Sequence, residues 1–246
     1  MVIIVQKSDY RSDIKWTYSP SYKKLERHVF KMGKYTYEAL FFPSFVKDEE
    51  LARAIETSLS RFLDKLRLPK PFHTFIIGIG NDTHTADSIG PKTLKHLIVN
   101  SHLKNMGLPI DGNIISTLEP GVLGETGIET FRIVESIAEE IKPDLVLVID
   151  SLVTDDLSSL GHSIIITDAG LTPGSGLRGT NCSINMESLK VPVISIGIPT
   201  ALEINSPKKR DNSIYLLSPN DIDEYVQHIS RIIAIGINHL FIDDLS

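Results

Sequence analysis

The chain has 246 residues, 41% of them hydrophobic and 23% charged, with a net charge of -6. These values suit one sizeable globular α/β domain with additions, or two small ones, and exclude overall disorder. The acidic balance argues against direct nucleic-acid binding, and no apolar stretch reaches membrane-spanning length. A single cysteine, Cys182, cannot close an internal disulfide, and Met1 to Val5 is too short for the apolar part of a signal peptide, so a cytoplasmic setting is expected.

Residues 1–46 read as an irregular N-terminal extension. They carry Trp16, five tyrosines from Tyr10 to Tyr37, and Phe30, Phe41, Phe42 and Phe45, aromatics that suit packing on the main domain better than assembly. Residues 47–246 read as a single α/β domain. From Lys47 to Leu66 the residues Leu51, Ile55, Leu59, Phe62 and Leu66 recur at helical steps and form one apolar stripe. Thr74 to Gly80 is a short apolar run ending in glycines, and Pro91 suits a first helical turn followed by Leu94, Leu97 and Ile98. A weaker strand is predicted over Asn113 to Thr117. A helix carrying Phe131, Val134, Ile137, Ala138 and Ile141 follows and stops at Pro143.

Further strands are predicted at Leu145 to Asp150, Ser163 to Thr167 and Val193 to Ile198. They are continuous apolar runs, as strands covered on both faces require. Ser218-Pro219-Asn220-Asp221 reads as the start of a last helix with Ser218 at its N-cap. The predicted fold class is a three-layer α/β/α domain with a mostly parallel sheet.

Asp150 ends a buried strand, Asp87 lies in the glycine-bounded stretch Gly78 to Pro91, and Asp168 follows the Ile164-Ile165-Ile166 strand. The carboxyl edge of an open α/β sheet is where ligands collect. Two carboxylates there can share a proton or activate water, yet an aspartate after a strand also often only caps a turn, and spacing alone leaves both readings open. His84, Asp87, Asp150 and Asp168 would also suit a divalent metal if they converged. Other chemistries fit less well. Thr83 stands where a dinucleotide fingerprint needs a third glycine, no phosphate-binding G-x-x-x-x-G-K-[ST] occurs, and Cys182 has no nucleophile signature around it.

Five loops occur in order: Asp87-Ser88-Ile89-Gly90-Pro91, the stretch from Pro120 to Thr130, Ile149-Asp150-Ser151-Leu152, the stretch from Thr167 to Gly176, and Ile196-Gly197-Ile198-Pro199-Thr200. Together they resemble the spore germination protease family. That resemblance implies an endopeptidase that degrades small acid-soluble spore proteins in the spore core, made as a zymogen and shortened at its amino terminus, so that residues 1–46 would contain a propeptide. It implies a fold related to the phosphorylase/hydrolase-like hydrogenase maturation endopeptidases, homo-oligomers (tetramers in the family), and Asp87 with Asp150 as the catalytic pair. Asp168 and His84 are supporting candidates, and no cofactor is expected. Alternatives are a relative that binds spore proteins without cutting them, and a metal-dependent maturation-type peptidase.

The chain departs from the family pattern in being shorter and in reading Asn81-Asp82-Thr83-His84 before Asp87. Thr172 stands in place of a histidine, and Lys15-Trp16-Thr17 follows the junction-like Arg11-Ser12-Asp13-Ile14.

Overall fold

The computed structural model describes residues 3–5, 23–110, 112–173, 182–205 and 214–242. In chain order its strands are β1 (Ile3–Val5), β2 (Glu26–Met32), β3 (Tyr35–Phe41), β4 (His73–Gly78), β5 (Ile114–Leu118), β6 (Leu145–Thr154), β7 (Ser163–Thr167), β8 (Val193–Asn205) and β9 (Ile214–Leu217). Its helices are α1 (Asp48–Leu66), α2 (Ile89–Leu94), α3 (Ser101–Asn105), α4 (Leu123–Thr126), α5 (Thr130–Ile141), α6 (Met186–Leu189) and α7 (Ile222–Ile242). No helix among the described residues is long and apolar enough to cross a membrane.

All strands join one sheet, ordered β2-β3-β7-β8-β6-β4-β5, with β1 on β6 and β9 on β8. β6 lies between β8 and β4, and its ten residues are all buried. That burial has two sides, as the unbroken apolar run requires. Leu145, Leu147 and Ile149 point into a cluster with Leu51, Ile55 and Leu59 of α1 and Val226, Ile229 and Ile233 of α7. Val146 and Val148 point the other way, against Val134 and Ala138 of α5. The stripe expected on α1 is the buried one, and three acids in its first turn with Lys65 in its last complement the helix dipole.

The sheet is mixed. β4, β5, β6 and β8 pair in parallel, as does β1 with the end of β6, whereas the β2–β3, β3–β7, β7–β8 and β8–β9 pairings are antiparallel. The expectation of a mostly parallel sheet is corrected to this extent. Only residues 155–162 separate β6 from β7, too few for the crossover that a parallel return needs, so the chain turns back instead. The last helix also differs. α7 begins at Ile222, after a turn closed by the Ile222 N–H on the Pro219 carbonyl (3.2 Å), so Ser218 is not its N-cap.

Within residues 1–46, β2 and β3 form a hairpin that extends the sheet through β7. Phe41 and Phe42 are buried and Phe30 stacks on Tyr37 with ring centroids 5.2 Å apart, which is packing, whereas Phe45 is exposed. Trp16 and the tyrosines at 10, 18 and 22 lie outside the described residues.

The hairpin also buries a charge that sequence patterning did not reveal. Glu38 on β3 is 2% exposed and accepts hydrogen bonds from Arg27, from the Ser58 hydroxyl of α1 and from Arg61 Nη1 (3.2 Å). Burial alone would raise its pKa, but the bonds from Arg27 and Ser58 outweigh it and hold the carboxyl below the usual range. Glu38→Ala should therefore cost about 2–3 kcal/mol, the low end for a broken buried pair because both arginine heads remain partly open to water. A depressed acid stabilises the fold above its ordinary pKa of about 4.3 and ceases to do so as pH falls through the folded value. The gap between wild type and variant in urea denaturation should be full at pH 7 and shrink below about pH 4.

Candidate active site

The site is built where the middle of β6 meets the segment that follows β4. Asp150 does not end its strand, contrary to the expectation from the sequence, because β6 runs on to Thr154 and pairs there with β8 and β1. The β4 chain continues past Gly78 alongside β6, with the Ile79 N–H donating to the Ile149 carbonyl (2.9 Å). One residue further along β6, Asp150 pairs with Gly197 of β8. Alternation places Asp150 on the same face of β6 as Val146 and Val148. It is 0% exposed. Its Oδ1 accepts the Ser151 N–H (2.8 Å), and its Oδ2 is buried with no hydrogen-bond partner among the described residues.

Asp87 arrives from the other segment. It ends a single 3-10 turn, Thr85–Asp87, with its N–H on the His84 carbonyl (2.7 Å). The Asn81 N–H donates to both the Asp87 carbonyl (3.0 Å) and the Asp87 Oδ2 (3.1 Å). Two glycines make this closure possible. Gly80 has φ +135°, and a Cβ there would lie 1.8 Å from the Asp87 carbonyl oxygen; a Cβ at Gly90 would lie 2.3 Å from the Ile79 carbonyl oxygen. Any side chain at either position would push the Asp87 turn, or the start of α2, off the end of β4.

The two carboxyls have different environments. Burial pushes Asp150 well above the usual carboxylate range, the neighbouring charge of Asp87 pushes it further, and the Ser151 N–H only partly offsets this. Burial also raises Asp87, and the Asn81 N–H and His84 are among the groups that limit that rise. Of the two, Asp150 is the one pushed further toward its neutral form.

The other candidates are placed differently. His84 is exposed, with its Nδ1 3.2 Å from the Thr83 hydroxyl, close enough to act on Asp87 through its charge. Asp168 does not join the pair. Because β7 is antiparallel, Thr167 pairs with Ser195, which pairs with Val148, so Asp168 lies about three positions to the amino side of Asp150, roughly 10 Å along the strands. There its Oδ1 accepts the Thr36 N–H (2.7 Å) and ties β3 to β7.

The convergence of His84, Asp87, Asp150 and Asp168 on a metal is thereby corrected: among the described residues no three His, Cys, Asp or Glu side chains group to hold one. Thr172, standing where the family pattern has histidine, is 2.7 Å from the Ser183 hydroxyl. A cavity of about 510 Å³ lined by Glu56, Asp64, Arg67 and His239 includes neither catalytic candidate, and it opens at the amino end of β4, beside Phe72.

Sequence reading missed the role of Thr200, whose hydroxyl donates to the Ala86 carbonyl at 2.6 Å. Its place in an Ile-Pro-Thr loop was visible, but which backbone atom it reaches was not.

Comparison with known proteins identifies the family. The family model described as germination protease matches residues 31–218. A germination protease of Clostridium perfringens is 32% identical over 235 residues, covering 77% of this chain and 71% of its own. One from Caldanaerobacter subterraneus subsp. tengcongensis is 38% identical over 161 residues, 64% of this chain and 50% of its own. One from Bacillus licheniformis is 35% identical over 189 residues, 76% of this chain and 49% of its own. The match takes in β3, both segments that carry the aspartates, and the strands between them. The chain belongs to the germination protease family.

Proposed function

We propose that this chain is an endopeptidase that cuts small acid-soluble spore proteins in the spore core, with Asp87 and Asp150 as its catalytic pair. The observation that carries the reading is Asp150: a fully buried carboxyl inside β6, beside a second carboxyl, with one oxygen left without a partner among the described residues. Buried structural aspartates are normally satisfied by hydrogen-bond donors, and an unsatisfied one carries a penalty that a purely structural role does not explain.

In this mechanism Asp87, ionised, accepts a proton from water as the water attacks the scissile carbonyl. Protonated Asp150 donates a hydrogen bond to that carbonyl oxygen and supports the charge that develops on it. Collapse of the tetrahedral intermediate breaks the C–N bond, and the proton gathered by Asp87 passes to the leaving amine. The same proposal includes a three-layer arrangement shared with the hydrogenase maturation endopeptidases, supported by helices packed on both faces of β6.

It also includes a propeptide. β1 pairs with Leu152 to Thr154, immediately past Asp150 and Ser151, so the amino-terminal segment runs beside the pair. Removing that strand uncovers the edge of β6 next to the buried carboxyl. The junction-like residues Arg11 to Ile14 lie outside the described residues.

Three outcomes follow. Incubated with a purified small acid-soluble spore protein, the wild type should cleave it, and Asp87→Asn and Asp150→Asn should each lower kcat by about 10²–10⁴-fold. Equal cleavage by all three would overturn the pair, and a stable complex without turnover would favour a binding relative. A chain lacking residues 1–12 should cut faster than the full chain; a slower one would argue that β1 supports the site.

The third outcome concerns stability. An acid whose pKa is raised by folding costs stability as pH climbs from its ordinary value, about 3.9, through the folded value. Relative to wild type, Asp150→Asn should therefore gain melting temperature between pH 4 and pH 7. A pH-independent difference would show that Asp150 carries no raised pKa.

A further inference from the structure

We propose that Thr200 is the positioning residue for Asp87: its hydroxyl, aimed by a bulge in β8, holds the turn that carries Asp87 against the strand pair that carries Asp150. The inference rests on the catalytic reading of the pair and names a part of the site which that reading does not use.

The bulge is explicit in the register. β6 and β8 pair as Asp150 with Gly197, Ser151 with Ile198 and Leu152 with Pro199, and then Val153 pairs with Ala201. Thr200 is the extra residue. A bulge of this kind bends the strand locally and re-aims one side chain, which is why bulges gather beside active sites. Pro199 is suited to the position before it because it has no N–H to leave unpaired in the ladder, and its carbonyl is satisfied by the Gly161 N–H (3.0 Å).

Thr200 is 1% exposed, and its Oγ1 lies 2.6 Å from the Ala86 carbonyl and 3.5 Å from the Leu152 carbonyl. A hydroxyl has one hydrogen, and the shorter contact takes it. The bond therefore ends on the residue just before Asp87.

What makes this bond matter is the nature of the others. His84 N–H to Asn81, Asp87 N–H to His84, Ser88 Oγ to Thr85 and Asn81 N–H to Asp87 all close within the loop itself. They give the loop a shape but no position. The Lys92 and Lys95 contacts to Asp82 fasten the loop to α2 and its C-terminal turn. The Thr200 bond links the Asp87 turn to the sheet, three residues along β8 from the partner of Asp150. A β-branched side chain with a stiff χ1 suits that task, because the hydroxyl is fixed once the backbone is fixed.

Displacement of a catalytic group by about 1 Å is enough to cost about 10²-fold in rate. Among the described residues, the charges facing Asp87 that a shift would alter include Asp150 from β6 and His84 from its own loop.

The test compares Thr200→Val, which removes the hydroxyl and keeps the branched shape, with Thr200→Ser, which keeps the hydroxyl. Thr200→Val should lower kcat by about 10–100-fold with KM changed less than about threefold. Thr200→Ser should recover most of the rate. An independent readout is the side-chain carboxyl 13C titration of Asp150. Its midpoint should fall in Thr200→Val toward the value in Asp87→Asn, and should stay near wild type in Thr200→Ser.

Unchanged kcat and midpoint in Thr200→Val would overturn the proposal. So would equal losses in both variants, or a loss of kcat explained by the unfolded fraction in a thermal melt. Full cleavage by Asp87→Asn would instead sink the catalytic reading, while the Asp150 titration would still report whether Thr200 holds Asp87 in place.

Discussion

The constraint on which the site depends is the complete burial of a carboxyl inside β6. Apolar residues cover both faces of this strand, and it pairs with β4 and β8 along most of its length. Such a strand offers no water to Asp150, so the acid is stable there only in its neutral form unless charge or hydrogen bonds compensate. One backbone N–H from Ser151 is partial compensation. The apolar core that holds the domain together is therefore also what separates the proton affinities of the two aspartates.

Asp87 is held by a different device. It has no strand of its own, and its place is defined by backbone contacts that only glycine permits at positions 80 and 90. The two groups thus come from scaffolds of unequal stiffness: Asp150 from the centre of a sheet, Asp87 from a turn resting on it. In the proposed mechanism the stiffer and drier position suits the protonated donor, and the half-buried turn, within reach of His84 and a backbone N–H, suits the base.

Much of this was legible before the fold was known. The stripe on α1, the run that becomes β6 and the two aspartates all depend on local signals: helical spacing, uninterrupted apolar residues, glycines beside acids. What was not legible depends on direction and distance. Ile164-Ile165-Ile166 reads the same in either sense, so nothing in it distinguishes a parallel strand from the antiparallel β7, and that single ambiguity carried Asp168 to the wrong edge. Glu38 reads as an ordinary polar residue of an alternating strand until Arg27, Ser58 and Arg61 are brought to it from residues up to 23 positions away.

The mixed sheet connects these points. Its parallel portion gathers the carboxyl ends of β4, β6 and β8, where chain segments leave the sheet and side chains of separate loops can meet. Its antiparallel portion, β7-β3-β2, runs the opposite way and presents other ends at that edge, so its polar residues are committed to holding strands together: Asp168 to Thr36, Glu38 to α1. An acid in this fold acquires chemistry or structure according to which portion carries it. Asp87 follows β4 and Asp150 lies in the parallel neighbour β6, and β8, parallel to both, supplies the hydroxyl that reaches the residue before Asp87.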